Sequence, residues 1–331
     1  MSTKLGWIFA GAIVVAVCVA AFMIYWGVPS SPVYTARAGV LERIEPAVGI
    51  DTILTLPTGA GNAADHYTRA IAEAEKTFGV NPESGEQIGY AEFVAQYGAT
   101  IKVLADWPPE LKIPEYVLAG SQIKDMELFG KYISPTDAMA DQIPQITRLM
   151  EAAILTATYG QLLLEADQPE QAETYFAAST ICGWHLANDR VRVYQGWATG
   201  ISIEANGCQH IGKLYVEKDP ERYQKIEACW RALQKASKQV ERKWAGAFGI
   251  NQQGRFATGD LLNIAHHDAD RAWRVEALLK LGLAKFTAKG RGDRRMVRST
   301  IDEMLASPDP FIKAAATKAN AMTRMDVRTA G

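Results

Sequence analysis

The chain has 331 residues, a formal net charge of −2, 48% hydrophobic residues and 22% charged ones. That balance excludes a disordered chain and a collagen-like fibre, and only four cysteines exclude a disulfide-dense miniprotein. A mean hydropathy of −0.09 excludes a polytopic transporter, because a single stretch is long and apolar enough to cross a bilayer.

That stretch is residues 5–28, LGWIFAGAIVVAVCVAAFMIYWGV, which follows a short head at residues 1–4 and carries no charge. As a helix it would be about 36 Å long, against a hydrocarbon core of about 30 Å. Trp7 at one end and Tyr25 with Trp26 at the other lie where amphipathic rings favour the headgroup layers. The apolar core of a cleaved signal peptide is shorter, about 7–15 residues, and ends on small residues. Val17 immediately before Cys18 also spoils a lipoprotein cleavage box. The expectation is therefore an uncleaved transmembrane helix in contact with the lipid bilayer. Lys4 precedes it, and Arg37 and Arg43 follow beside Glu42 and Glu45, so charge bias orients it only weakly. A four-residue head is easily retained, which predicts a single-pass protein of the inner (cytoplasmic) membrane. Its amino terminus would be cytoplasmic and its C-terminal domain periplasmic or otherwise extracytoplasmic.

Residues 29–61 read as a stalk that ends in the turn Pro57-Thr58-Gly59-Ala60-Gly61, and an α-helical domain is expected over 62–331, with a sub-boundary near 135–142. Asn62 is a helix cap, and Ala63, Ala64, Tyr67, Ala70, Ile71 and Ala74 recur at helical spacing up to Gly79. Pro108, Pro109 and Pro114 break the pattern, so short helices and loops are expected from Asn81 to Pro135. A longer helix is expected from Ile143 to Ala166, a turn at 167–169, then helices over Glu170–Leu186 and Val191–Ala205. Tyr223, Ile226, Trp230, Leu233, Val240 and Trp244 form another stripe. Two more helices are expected over 271–287 and 294–306, and Asp309-Pro310 opens the last. No convincing strand run occurs, so the fold class is all-α.

The hairpin 144–187 contains TYGQLLLEADQPEQAETYF, in which Gly160, Ala172 and Phe176 have the spacing of a tetratricopeptide repeat. This segment, about residues 150–187, resembles that family, whose glycine on the first helix lets the second pack closely. Thr156 stands where the family has its early tryptophan, and Ser179 is the small residue after the aromatic. The resemblance covers one unit of about 34 residues, roughly a tenth of the chain. The segment SPDPFIKAAATKANAM resembles a HEAT-type helix, again as a single copy. Both imply a TPR/HEAT-like stack of helical hairpins, since one hairpin cannot bury its apolar face alone.

Charge is graded along the chain: residues 28–170 carry a net of −11, residues 171–270 a net of +1 and residues 271–331 a net of +7. A basic end attracts an acidic protein, anionic lipid or nucleic acid, and export would set nucleic acid aside. Acidic and basic ends that simply solvate a solenoid are the plainer reading.

Catalytic chemistry is sparse. The five histidines are His66, His185, His210, His266 and His267, and no zincin, thiol-pair, nucleophile-elbow or P-loop motif is present. Gly59-Ala60-Gly61 before a helix lacks the P-loop lysine and serine and reads as a loop. LLNIAHHDADRAW resembles the metal-binding helix of HD-domain phosphohydrolases. The resemblance would make His267 and Asp268 metal ligands, with Asp302 or Asp309 as the downstream carboxylate. The upstream histidine that this family needs is missing, since none lies between His210 and His266. The plainer reading has Asp268 or Asp270 capping a helix that begins near Ala272. His185, beside Trp184 and Cys182, is expected to be packed, and Trp184, Trp197, Trp230, Trp244 and Trp273 to be core. Cys182, Cys208 and Cys229 allow at most one disulfide, Cys208–Cys229, although buried thiols are the preferred reading. Arg291-Gly292-Asp293 reads as a charged turn.

Together these features predict a membrane-anchored helical scaffold or accessory subunit without a cofactor or catalytic residues, which binds other proteins not identifiable from the sequence. Two alternatives are a membrane-bound hydrolase using His267 and Asp268, and a cytoplasmic-facing domain whose basic end binds anionic lipid or nucleic acid.

Overall fold

A computed structural model describes residues 49–77, 101–128, 135–189, 194–248, 258–284 and 291–325. The apolar run at 5–28 lies outside them, as do residues 29–48, Gly79 and the side chain of Trp244. Among the described residues no helix is long and apolar enough to cross a membrane.

The described chain is all-helical. Its α-helices are α1 (Ala64–Thr77), α2 (Ile113–Ser121), α3 (Pro135–Glu165), α4 (Pro169–Asn188), α5 (Tyr194–Tyr215), α6 (Pro220–Phe248), α7 (Thr258–His267), α8 (Arg271–Ala284), α9 (Arg291–Leu305) and α10 (Pro310–Met325). Single 3-10 turns form at Ile50–Thr52 and Leu104–Asp106. The only β-type pairing among the described residues is an isolated parallel bridge between Gly59 and Ile123.

Local chemistry sets most of the boundaries. Prolines stand in the first turn of α2, α3, α4, α6 and α10, where the missing N–H would have had no partner. Asn62 Oδ1 accepts from the Ala64 N–H at 3.1 Å and from the Glu127 N–H at 2.9 Å, so one side chain starts α1 and holds the strap that follows α2. Asp270 Oδ1 accepts from Ala272 N–H at 2.8 Å and opens α8, while Asp309 Oδ1 accepts from Phe311 N–H at 2.9 Å and opens α10. Between α3 and α4, Asp167 is left-handed (φ 59°). There Gln168 N–H bonds Leu163 C=O at 2.9 Å and Asp167 N–H bonds Leu164 C=O at 3.1 Å, the pair of bonds that defines a Schellman motif.

From α3 to α6 packing runs between sequence neighbours, α3 on α4, α4 on α5 and α5 on α6, whereas in the C-terminal part α8 packs on α7 and, skipping α9, most extensively on α10, which also meets α9. Two apolar clusters result. One joins α1, α2, the first half of α3 and part of α4 around Tyr67, Ile113, Leu149 and Leu186. The other extends from Phe176 through Ile211, Ile226, Leu261, Leu278 and Ile312. The array closes on itself, because α10 also touches α3 and Phe311 packs against both clusters.

The helices differ from the sequence expectation at three places. Helix α3 begins at Pro135, eight residues before Ile143, and α5 runs to Tyr215, ten beyond Ala205. Arg291-Gly292-Asp293 is not a turn but the first turn of α9. At the end of the expected stalk, four apolar side chains pack on the domain while 58–61 stay exposed: Ile50 is fully buried, and Ile53, Leu54 and Leu56 lie against the same cluster.

Helix α4 meets α5 across glycines. A Cβ on Gly183 would lie 2.7 Å from both Glu204 N and Gly200 O, and one on Gly200 would lie 2.5 Å from Ala187 N. Such an approach to a neighbour's main chain is available only to a residue without a Cβ.

Candidate functional site

Helix α1 presents Tyr67, and α4 presents Cys182 and His185, all three buried. The Tyr67 ring lies against Gly120 of α2, where a Cβ would come within 2.5 Å of its Cε1. His185 Nε2–H donates to the Lys124 carbonyl at 3.2 Å, which leaves Nδ1 to accept the Tyr67 hydroxyl proton at 2.8 Å. The Cys182 thiol is hydrogen-bonded to the same hydroxyl. Burial pushes His185 down to about 4, Cys182 up to about 12 and Tyr67 well above its usual value. All three are therefore uncharged at neutral pH. A neutral, enclosed relay of thiol, phenol and imidazole clips α1, α4 and the strap at 122–125 together. Tyr67→Phe leaves Nδ1 unpaired in the core and is expected to lower stability by about 1–3 kcal/mol. The check is the urea midpoint at constant m-value, and an unmoved midpoint would refute a structural role for the relay.

A second buried group sits between α5 and α6. Glu204 is 4% exposed, and Cys208 and Cys229 are fully buried free thiols in contact with one another. Desolvation, with the nearby Cys229, raises the Glu204 carboxyl to about 8, so it is protonated at neutral pH. On α3, Arg148 donates to Glu151 at 2.7 Å in a buried ion pair, and burial raises the Glu151 carboxyl against the pull of that arginine. On α5, His210 stacks on Phe176 with ring centroids 5.0 Å apart, and burial lowers its imidazole to about 4.

The histidine–aspartate pair of the hydrolase alternative is drawn into helix ends. His267 is exposed and Asp268 buried, with Asp268 Oδ1 accepting from Asp270 N–H at 2.9 Å. Asp309 caps α10 and pairs with Arg271 at 3.8 Å, and Asp302 is exposed on α9. His266 Nε2 bonds Thr300 Oγ1 at 2.9 Å. Among the described residues no three or more His, Cys, Asp or Glu side chains gather where a metal ion could be held. Gly59 and Gly61 line the bridge to Ile123. Trp273 is buried and meets the half-buried Trp197 edge-on at 6.0 Å. Trp184 and Trp230 pack partly buried on the same cluster.

The arrangement not foreseen is an aromatic row on the α3–α4 hairpin. Trp107 lies 4.9 Å from Tyr159, and Tyr159 meets Tyr175 edge-on at 4.8 Å. All three rings are half-buried. Burial, then the Glu115 carboxylate, raises Tyr159, and burial, then Tyr159 and Glu115, raises Tyr175. Glu115 is half-exposed and makes a 3.8 Å ion pair with Lys112. Elsewhere on α4, two positions before Tyr175 and so on a different face of the helix, Glu173 accepts from both Tyr215 and Arg222, whose guanidinium stacks 3.9 Å over the Tyr215 ring. Half-buried aromatics with adjacent charge are the residue types that anchor protein interfaces. A signal existed in the sequence: Tyr159 and Tyr175 immediately precede Gly160 and Phe176, so each lies one helical step, about 100°, from the packed seam.

The chain matches no protein-family model, no curated protein and no solved structure.

Proposed function

We propose that this protein is a scaffold or accessory subunit, held at the membrane by residues 5–28, that binds other proteins through its helical array. The observation that carries the reading is the aromatic row in which Trp107 joins Tyr159 and Tyr175 of the α3–α4 hairpin, partly open to solvent and flanked by Glu115. The hairpin itself supports a repeat-like architecture. A Cβ on Gly160 would lie 2.8 Å from the Phe176 ring and 3.2 Å from Ala172 O, the close approach expected of a tetratricopeptide-like unit. Neighbour packing from α3 to α6, with α8 packed on α10 across α9, fits a TPR/HEAT-like stack that closes at α10 instead of remaining an open solenoid. The uncharged 5–28 run supports a single-pass anchor, and on this reading the helical domain lies outside the cytoplasm.

The test is gentle detergent extraction of the tagged full chain from native membranes, followed by mass spectrometry of co-migrating proteins. A stoichiometric partner is expected, and Tyr159→Ala/Tyr175→Ala should reduce its recovery by about tenfold or more while the thermal unfolding midpoint stays close to wild type. Recovery of the chain alone, or a partner indifferent to both tyrosines, refutes the interface. A reporter fused after Gly331 that is active only in the cytoplasm refutes the topology.

A further inference from the structure

Helix α9 buries Val297, Thr300, Ile301 and Met304. Its outward half carries exposed Arg294, Arg295 and Arg298, together with Met296, which is 57% exposed. Among the described residues none of these three arginines has a carboxylate partner. The exposed carboxylates Asp302 and Glu303 are confined to the other end of the helix.

This distribution runs against the helix itself. The N-terminal end of a helix carries partial positive charge and the C-terminal end partial negative charge, so arginines are favoured last and carboxylates first. Helix α9 carries Arg291, Arg294, Arg295 and Arg298 against one carboxylate, Asp293, in its first half, and Asp302 with Glu303 near its end, so its first turns keep a net cationic charge. The surrounding sequence adds to that field, since residues 271–331 carry a net of +7.

We propose that the first turns of α9 dock on an anionic membrane surface, with Arg294, Arg295 and Arg298 at the phosphate level and Met296 entering the headgroup boundary. Arginine near an anionic leaflet strengthens association by about fivefold per residue, so three of them together give on the order of a hundredfold. The exposed methionine favours lipid over nucleic acid, because a flexible thioether gains from entering the acyl boundary and has no stacking surface for bases. The assignment stands on α9 alone and does not depend on residues 5–28 spanning the bilayer.

The experiment places the full chain with nanodiscs of phosphatidylcholine, or of phosphatidylcholine with an equal part of phosphatidylglycerol. Phenylglyoxal then modifies arginines, hydrogen peroxide oxidises methionines, and mass spectrometry reads the rates. The expected result is that modification of Arg294, Arg295 and Arg298 and oxidation of Met296 slow by about tenfold on the anionic discs only. High salt should restore the rates, and Arg294→Glu/Arg295→Glu/Arg298→Glu should abolish the protection of Met296. Equal rates on both lipids, protection that survives high salt, or protection by added duplex RNA or DNA but not by phosphatidylglycerol each overturns the proposal. A chain that fails to enter phosphatidylcholine discs counts against the anchor at 5–28, and its α9 is read in the same way on added anionic discs.

Discussion

Gly200→Val is expected to lower the stability of the helical domain by more than about 4 kcal/mol, or to prevent folding outright. The atoms facing the new side chain are Ala187 N at 2.5 Å and Gly183 O at 2.6 Å from its Cβ, both main chain, so no rotamer change relieves the clash. Helices α4 and α5 would have to separate along a seam that also includes Gly183 and Gly207, the latter facing Thr180. Separation would forfeit packing on both sides, because Cys182 and Leu186 belong to one apolar cluster and Ile181 and Ile201 to the other. Helical circular dichroism against temperature reads the effect, with a drop of about 8 °C or more if the variant folds. Gly259→Ala is the internal control: nothing lies within 4 Å of its Cβ position on α7, and it should be neutral or stabilising by up to about 1 kcal/mol. A Gly200→Val protein as stable as the Gly259→Ala one would refute the close approach of α4 and α5.

The second large effect concerns Glu204 and pH. Its folded carboxyl is raised to about 8, whereas in the unfolded chain it titrates in the ordinary range near 4.5. Between those values the folded state keeps a proton that the unfolded state releases, so stability falls as pH rises from about 4.5 through about 8. The loss is on the order of 3–5 kcal/mol by the top of that window. His185 acts in the opposite direction. Its folded value of about 4 lies below the ordinary 6.5, so its contribution is lost as pH falls through that interval. Stability should therefore peak in mildly acidic solution. Glu204→Gln keeps the shape and removes the titration, so it should match wild type near pH 5 and exceed it clearly near pH 8. Denaturant unfolding across that range is the measurement, and parallel curves for the two proteins would refute a buried neutral Glu204.

The parts of this fold that could be seen in the sequence are those governed by local rules. Asn62, Pro169, Asp270 and Asp309 act within three residues of themselves and mark helix starts that the structure keeps. The Gly160, Ala172 and Phe176 spacing anticipated a real contact between two helices. Pro144 concealed the true start of α3, because a proline ordinarily signals the first turn of a helix and here lies inside one. The three arginines and one aspartate at 291–295 suggested a solvated turn, although the same residues start α9. Long-range arrangements were not visible. Nothing near Tyr67 indicates His185, 118 positions away, and the half-exposed aromatic row depends on Trp107 arriving from a proline-rich segment without periodicity. The buried state of Glu204 was equally hidden, since a carboxylate in a helix otherwise suggests a wet face.

Closure of the array by α10 has a consequence for how the molecule is made. In an open row of hairpins each unit can settle as soon as its neighbour exists, so folding keeps pace with synthesis. Here Phe311 bridges two apolar clusters and α10 reaches back to α3, more than a hundred residues earlier. Contacts of such sequence separation form late, because the intervening chain must first be ordered. The link between the two clusters through Phe311 therefore forms after the helices between α3 and α10 are in place. Docking of α10 on α3 is then a late, long-range step that an open row of hairpins does not need.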